Sequence, residues 1–345
     1  MVGGPLKAGK LSGELLERMV LSAIRFQRDD VLVHAGLGED CAVIDFGEEV
    51  CLITSDPITG AVQGLGELAV HVACNDLAAN GGTPVGVQVV LLVPEGTKAE
   101  YIRQVMEDIH ATAAKLEVEV IGGHTEVTSR VRDCVVSITA IGRAPKGRYV
   151  TSHGAKPGDD LVLTKGVGIE ATAILARDFG HLLPFEVAPE EIAAFTGQLS
   201  VVPEGLLAAD CGVHAMHDVT EGGLLGAARE ICLAAGVGAE IWEEQVFVPE
   251  LTRRICRHLG LDPLALLSSG AMLMAAPKGA ELVERLAEAG IAAFLVGKIT
   301  AGSHPVLIRT GGEQVPIKAH VEDELWRFFA RREEGNGDGR FGHEG

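Results

Sequence analysis

Residues 65–93 read LGELAVHVACNDLAANGGTPVGVQVVLLV. The first half, Leu65–Ala79, has helical spacing, with Leu68, Val72 and Asp76 on one stripe. Gly81, Gly82 and Pro84 stop that helix, and Val85–Val93 reads as a long β-branched strand. Upstream, Cys41–Phe46 and Val50–Ser55 read as two strands around the turn GEE, and Ser12–Phe26 has helical periodicity. Downstream, Thr97 opens a helix with Glu100 three residues on, the capping-box pattern, and that helix runs to about Glu117. Val118–Ile121 is a short strand, GGHTEVTS a loop after it, and Cys134–Ile141 another strand. Strands joined by both hairpins and helices predict two α/β or α+β domains rather than one doubly wound sheet.

The 345 residues suggest about two domains at roughly 150 residues each. The stretch APKGRYVTSHGAKPGD, 144 to 159, is a linker by composition, which puts one domain at 1–150 and a second at 151–330. The second half again alternates strands and helices. Residues 331–345, polar and Gly-rich, are expected to be a disordered tail.

The chain has 29 basic and 48 acidic residues, a formal charge of −19, which argues against nucleic acid and anionic membranes as partners. It does not exclude a phosphate ligand, because Mg²⁺ bridges carboxylates to phosphates. No two of the seven cysteines have CxxC spacing, and most sit in apolar runs. They read as buried thiols of a cytoplasmic protein. No signal peptide and no run of about 18 apolar residues is visible.

The acids carry the chemistry. In GLGEDCAVI, 36 to 44, Asp40 starts a strand, and Asp56 ends the next one, in TSDP. Hairpin pairing brings a strand's start near its neighbour's end. Asp76 is a carboxylate on an apolar helical stripe, costly unless paired or bound to a metal. Three acids at a strand–strand–helix corner suit a hard cation with oxygen ligands, which makes Asp40, Asp56 and Asp76 the expected Mg²⁺ ligands and Glu39 their neighbour. In GGHTE, Gly122 and Gly123 let backbone N–H groups approach an anion, with His124, Thr125 and Glu126 beside it. HDVTEGGL, 217 to 224, has similar grammar: Asp218, then Thr220, Glu221, Gly222 and Gly223 opening a helix. Thr220 and Glu221 read equally well as capping residues. GPLKAGKL, 4 to 11, fits GxxxxGK but has Leu11 where a Walker A needs Ser or Thr, although Lys10 can still reach a phosphate.

Taken in order, GEDCAVI, LITSDP, ACNDLAANGGTP, VIGGHTEV and HDVTEGGL resemble the aminoimidazole ribonucleotide (AIR) synthase superfamily over about residues 10 to 310. That resemblance implies a two-domain, PurM-like α+β fold whose N-terminal sheet domain dimerises. It also implies ATP held with Mg²⁺ between domains, and chemistry in which ATP activates or phosphorylates an oxygen of a small-molecule substrate. It assigns Asp40, Asp56 and Asp76 to metal and phosphate, with Asp56 and Asp218 catalytic. Gly122 to Thr125 match the nucleotide loop, and Asp218 to Gly223 the second-domain substrate loop. HDVTEGGL and its preceding helix look most like the HypE branch, hydrogenase-maturation proteins, for which a maturation partner protein is implied. That branch acts on a C-terminal cysteine, whereas the last cysteine here is Cys256. A thiamine-monophosphate-kinase-like enzyme and a non-catalytic nucleotide-binding maturation factor are the alternatives.

Overall fold

The computed structural model describes residues 10–59 and 63–336, with side chains up to 332. Its first sheet has six strands: β1 Val31–Val33, β2 Ala42–Asp45, β3 Glu49–Ile58, β4 Thr83–Val93, β5 Glu119–Val127 and β6 Val135–Pro145, in the order β1-β2-β3-β6-β4-β5. Only β4 and β5 pair in parallel; the other neighbours are antiparallel. The second sheet has β7 Asp160–Thr164, β8 Ala215–Asp218, β9 Gly238–Trp242, β10 Met272–Ala276, β11 Ala293–Thr300, β12 Pro305–Ile308 and β13 Gln314–Pro316, in the order β13-β12-β9-β11-β7-β10-β8. The helices, in chain order, are α1 Gly13–Met19, α2 Leu65–Ala79, α3 Ala99–Lys115, α4 Ile169–Asp178, α5 Pro189–Thr196, α6 Val202–Asp210, α7 Gly223–Ala235, α8 Glu250–Leu259, α9 Gly279–Glu288 and α10 Glu324–Asn336. Two sheets, each with its own helices, make the two-domain α+β architecture.

On the first sheet, alternate residues such as Val50, Leu52, Val136, Ile138, Val87 and Val89 are buried, and α2 covers that face. α2 is apolar nearly all round, which marks a helix with neighbours on every side. It packs on β3, β6 and α3 within its own half and on α6 and β8 of the other. Asn75 makes the join specific. Its Nδ2 donates to the Leu199 carbonyl at 2.8 Å, and its Oδ1 accepts from the Val201 N–H at 2.8 Å. The α2–α6 crossing is tight enough that a Cβ on Gly205 would lie 2.4 Å from the Ala78 carbonyl oxygen. Backbone does not yield as a side-chain tip does, so Gly205→Ala is expected to cost about 1–3 kcal/mol, read as a lower urea midpoint at unchanged m-value.

Several local expectations are corrected. The helix expected over Ser12–Phe26 is Gly13–Met19 followed by a single 3₁₀ turn at Leu21–Ala23. Leu15 and Leu16 are half-buried, but Met19 and Phe26 are exposed, so beyond the first turns propensity alone does not extend it. Thr97 does not cap α3; its hydroxyl donates to the Pro94 carbonyl, and Lys98 is the N-cap. GGHTE is not a loop but lies within β5. The linker is packed. Ser152 Oγ donates to the Met216 carbonyl, and a Cβ on Gly154 would lie 1.9 Å from the His214 carbonyl oxygen. α10 carries the chain to Asn336, so residues 331–336 of the expected tail are helical, while 337–345 lie outside the described residues. Phe328 and Phe329 pack around Phe179, and Arg332 lies 5.0 Å over the same ring.

Candidate functional site

Hairpin β2–β3 places Ala42 opposite Ile53, which brings the residues before β2 alongside the C-terminal part of β3. Thr54 and Asp56 alternate onto the face that α2 covers, and Asp76 comes down from α2 to meet them. Thr54 Oγ1 donates to Asp76 Oδ2 at 2.6 Å and lies 3.2 Å from Asp56 Oδ2. Asp218, at the end of β8, approaches from the second half. The four carboxylates sense one another. Burial pushes the Asp76 carboxyl well above the usual carboxylate range, and Asp56, Asp218 and Asp40 push it further. Asp40 is likewise raised by burial and by Asp218 and Glu230, against the pull of His217. Asp218 is raised by burial although His217 opposes it, and its Oδ2 is buried with no hydrogen-bond partner among the described residues. The anticipated acids therefore converge, and Asp218 joins them from across the domain junction.

Other candidates fall elsewhere. Glu39 turns away to pair with His153 of the linker, fastening the β2 approach to the second half. Lys10 donates its backbone N–H to Glu221 Oε1 and its Nζ to Glu230 Oε1, each at 2.8 Å. At Gly222 and Gly223 the backbone is left-handed (φ 84° and 59°), and a Cβ on Gly223 would lie 2.7 Å from the carbonyl oxygens of both Leu264 and Leu266. The Gly222 N–H, at the mouth of α7, already donates to Asp323 Oδ2 at 2.7 Å. Thr220 offers its carbonyl to the Gly223 N–H. Gly122, Gly123, His124, Thr125 and Glu126 sit on the exposed edge strand β5, where His124 lies 3.5 Å from Glu126. Across the sheet Asp56 faces Ile138, Ile138 faces Val89, and Val89 faces Gly123. Three strand spacings put about 14 Å between Asp56 and Gly123.

Two side chains of this corner escaped the sequence reading as site residues. His217, next to Asp218, is buried, with Nδ1 3.2 Å from Asp40 Oδ1 and 3.7 Å from Asp218 Oδ1. Its Nε2 lies 2.8 Å from Glu230 Oε2 on α7. Burial would raise the Glu230 carboxyl, but His217 and Lys10 outweigh it and hold it down at about 2. The signal for His217 was visible in HDVTEGGL; Glu230 carried none, because its partners are remote in sequence. Lys10, Asp40, His217, Glu221, Arg229 and Glu230 share the wall of a cavity of about 170 Å³.

Behind this corner, burial raises the Glu170 carboxyl to about 7, with Ser269 opposing and Asp323 and Asp218 adding to it. The folded state thus holds this proton more tightly than the unfolded state, whose value is near 4.5. Stability from this group is present below about 4.5 and is lost as pH rises through about 7. Glu170→Gln is expected to be more stable than the parent by about 3 kcal/mol at pH 8, and the gain to vanish near pH 4.5. Urea unfolding across that range checks it, and identical pH slopes would refute it.

Comparisons with known proteins agree with this architecture. Residues 38–144 match the family described as AIR synthase related protein, N-terminal domain, and residues 156–309 its C-terminal domain. A Methanocaldococcus jannaschii protein named for hydrogenase expression/formation is 29% identical over 88% of this chain and 91% of its own. Carbamoyl dehydratase HypE of Azotobacter vinelandii is 30% identical over 86% of this chain and 87% of its own. Among solved structures, a HypE–HypF complex superposes with a TM-score of 0.73 at 20% identity, covering 89% of this chain and 99% of the other. HypE in complex with ATP superposes with a TM-score of 0.71 at 21% identity, covering 93% and 97%. Among the described residues no helix is long and apolar enough to cross a membrane. With both domain patterns matched in order over most of its length, the chain belongs to the AIR synthase related protein family.

Proposed function

We propose that this chain is an ATP- and Mg²⁺-dependent enzyme of the HypE type, which uses ATP to activate the oxygen of a carbamoyl-like group. The observation that carries this reading is the convergence of Asp40, Asp56, Asp76 and Asp218, buried or half-buried, with their charge poorly compensated. Such a cluster suits a divalent cation: the acids are oxygen donors, and one carboxylate oxygen of Asp218 has no partner. Asp40, Asp56 and Asp76 would hold Mg²⁺. Bound there, the ion supplies neutralisation of charge on the transferring phosphoryl group.

The chain's own side chains do the positioning. Thr54 fixes the orientation of Asp76 through its 2.6 Å hydrogen bond. Asp218, buried at the junction of the halves with one carboxylate oxygen unpartnered among the described residues, is the candidate to take up a proton from the substrate. Lys10, held by Glu230, places a cation on the wall of the cavity. The cavity is smaller than ligand pockets of roughly 300–1,000 Å³, so this corner suits the phosphate end of a nucleotide. The outer face of the first sheet exposes Val85, Val90 and Ile121, which supports a homodimer formed through that face. GGHTE of the second copy would then be the nucleotide loop that its own copy holds too far away. The relatives named for hydrogenase maturation, and the HypE–HypF complex among the similar structures, support a maturation protein as partner.

A thermal-shift titration with ATP, run with Mg²⁺ and with EDTA, tests the site, and phosphate release with carbamoyl-bearing substrates tests the chemistry. A ligand at 100 times its dissociation constant adds roughly 2.7 kcal/mol. A shift that needs both ATP and Mg²⁺ is expected. No shift under either condition would overturn the reading, and binding without release on any substrate would point to the non-catalytic alternative.

A further inference from the structure

The loop between β8 and α7, residues 219–222, is gripped from both ends of the chain. On one side the Lys10 N–H donates to Glu221 Oε1 at 2.8 Å. On the other the next residue, Gly222, donates its own N–H to Asp323 Oδ2 at 2.7 Å. The two partners lie 211 and 101 positions away. Gly222 is buried and left-handed (φ 84°), and a buried N–H is costly without an acceptor.

Asp323 is placed for more than the end of a helix. It is 1% exposed and immediately precedes α10, whose Leu325 N–H its Oδ1 accepts at 2.8 Å. That oxygen acts as an ordinary N-cap. The other crosses to the mouth of α7, so one buried carboxylate serves the positive ends of two helices. The chain before Asp323 lies against the same loop: a Cβ on Gly222 would lie 3.3 Å from the Val321 carbonyl oxygen. His320 and Val321 share the cavity wall with Lys10, Glu221 and Glu230. Beyond Asp323 the helix is pinned, with Leu325 fully buried and Phe328 and Phe329 packed around Phe179. Asp323 therefore cannot follow a moving loop without undocking α10.

We propose that Asp323 is a positioning residue of the candidate site: it fixes the 219–222 loop and the start of α7, so that the segment from His320 into α10 belongs to the catalytic apparatus. The inference rests on the ATP-dependent reading for what the loop serves, but not for how the loop is held. Burial raises the Asp323 carboxyl to about 7, against the pull of the Leu325, Gly222 and Leu267 N–H groups and with Glu221 adding to it, so the carboxylate prevails at pH 8.

The test uses the full chain at pH 8. Asp323→Ser keeps a hydroxyl that caps α10 but is too short to bridge to Gly222, which separates capping from positioning. Without nucleotide, amide hydrogen exchange at Gly222 should quicken about tenfold or more in this variant, while the α10 amides change less than about threefold. With ATP, Mg²⁺ and S-carbamoylcysteine as the substrate probe, kcat/KM for phosphate release should fall about tenfold or more. The ATP·Mg²⁺ thermal shift should be kept. Asp323→Gly leaves room for the missing carboxyl, and added formate should restore both the Gly222 protection and the turnover, with bulkier propionate restoring neither. Circular dichroism establishes that each variant is folded. Unchanged exchange at Gly222 in folded Asp323→Ser, or exchange that rises equally along α10, would overturn the proposal, and Asp323 is then a helix cap and nothing more. Parental turnover with a loosened loop would overturn its part in the reaction. Absence of turnover in the parent falls instead on the functional reading, and exchange at Gly222 still decides whether Asp323 holds the loop.

Discussion

Asp56→Asn is expected to reduce Mg²⁺-dependent ATP turnover by roughly 10²–10³-fold or more while leaving the fold intact. Asp56 is partly exposed, lies 3.2 Å from Thr54 and against Asp76, and asparagine keeps its shape, so little packing is lost. The negative charge is lost, and an Mg²⁺ ion bound by three acids gives up a third of its protein charge. Asp76→Asn should reduce turnover similarly but with an opposite mark on stability. Asp76 is buried beside three other acids, so the metal-free chain bears the cost of their repulsion and desolvation. The asparagine variant should therefore melt higher than the parent in EDTA and lose the shift that Mg²⁺ and ATP produce. Thr54 can still donate to its side-chain oxygen. Unchanged turnover in Asp56→Asn, or a lower EDTA melting point in Asp76→Asn, would remove the carboxylate corner from the mechanism.

Asn75→Ala is expected to have the largest effect on stability away from the acids, about 2–5 kcal/mol. One side chain satisfies both the Leu199 carbonyl and the Val201 N–H, and all of these groups are shut between the two halves. Each backbone group left buried without a partner costs about 1–3 kcal/mol. The loss falls on the junction that brings Asp218 to Asp40, Asp56 and Asp76, so ATP affinity should weaken with stability. Urea unfolding and the ATP thermal shift, measured on the same variant, check both. A cost below about 0.5 kcal/mol would mean that Leu199 and Val201 find water instead.

The parts of the site that could be read from the sequence rest on local periodicity. Asp76 was identified because a carboxylate interrupts an apolar helical stripe, and Asp40 and Asp56 because a hairpin must bring its ends together. GGHTE was read as a loop because glycine pairs usually mark one. The structure puts these residues in β5, where a parallel partner supplies the backbone hydrogen bonds and a Cβ on Gly123 would lie 1.9 Å from the Val89 carbonyl oxygen. That glycine is required by the close strand approach. The start of the tail, 331–336, was misjudged for a related reason: it continues a helix anchored upstream by Phe328 and Phe329, whose partner Phe179 lies far back in the chain.

The sequence by itself determined the two-domain α+β class, the α2–β4 unit at its centre and the acids of the corner, since each follows from residue types at spacings of two or 3.6. Tertiary structure alone decided what faces those acids. His217 meets Asp40 across 177 positions and Lys10 meets Glu230 across 220, and the Gly222 N–H is taken by Asp323 from 101 residues away. Such pairings leave no periodic trace, because either partner viewed locally is only a charged residue at the end of an element. They arise when α2 is enclosed on every side and the two sheets are brought together around it.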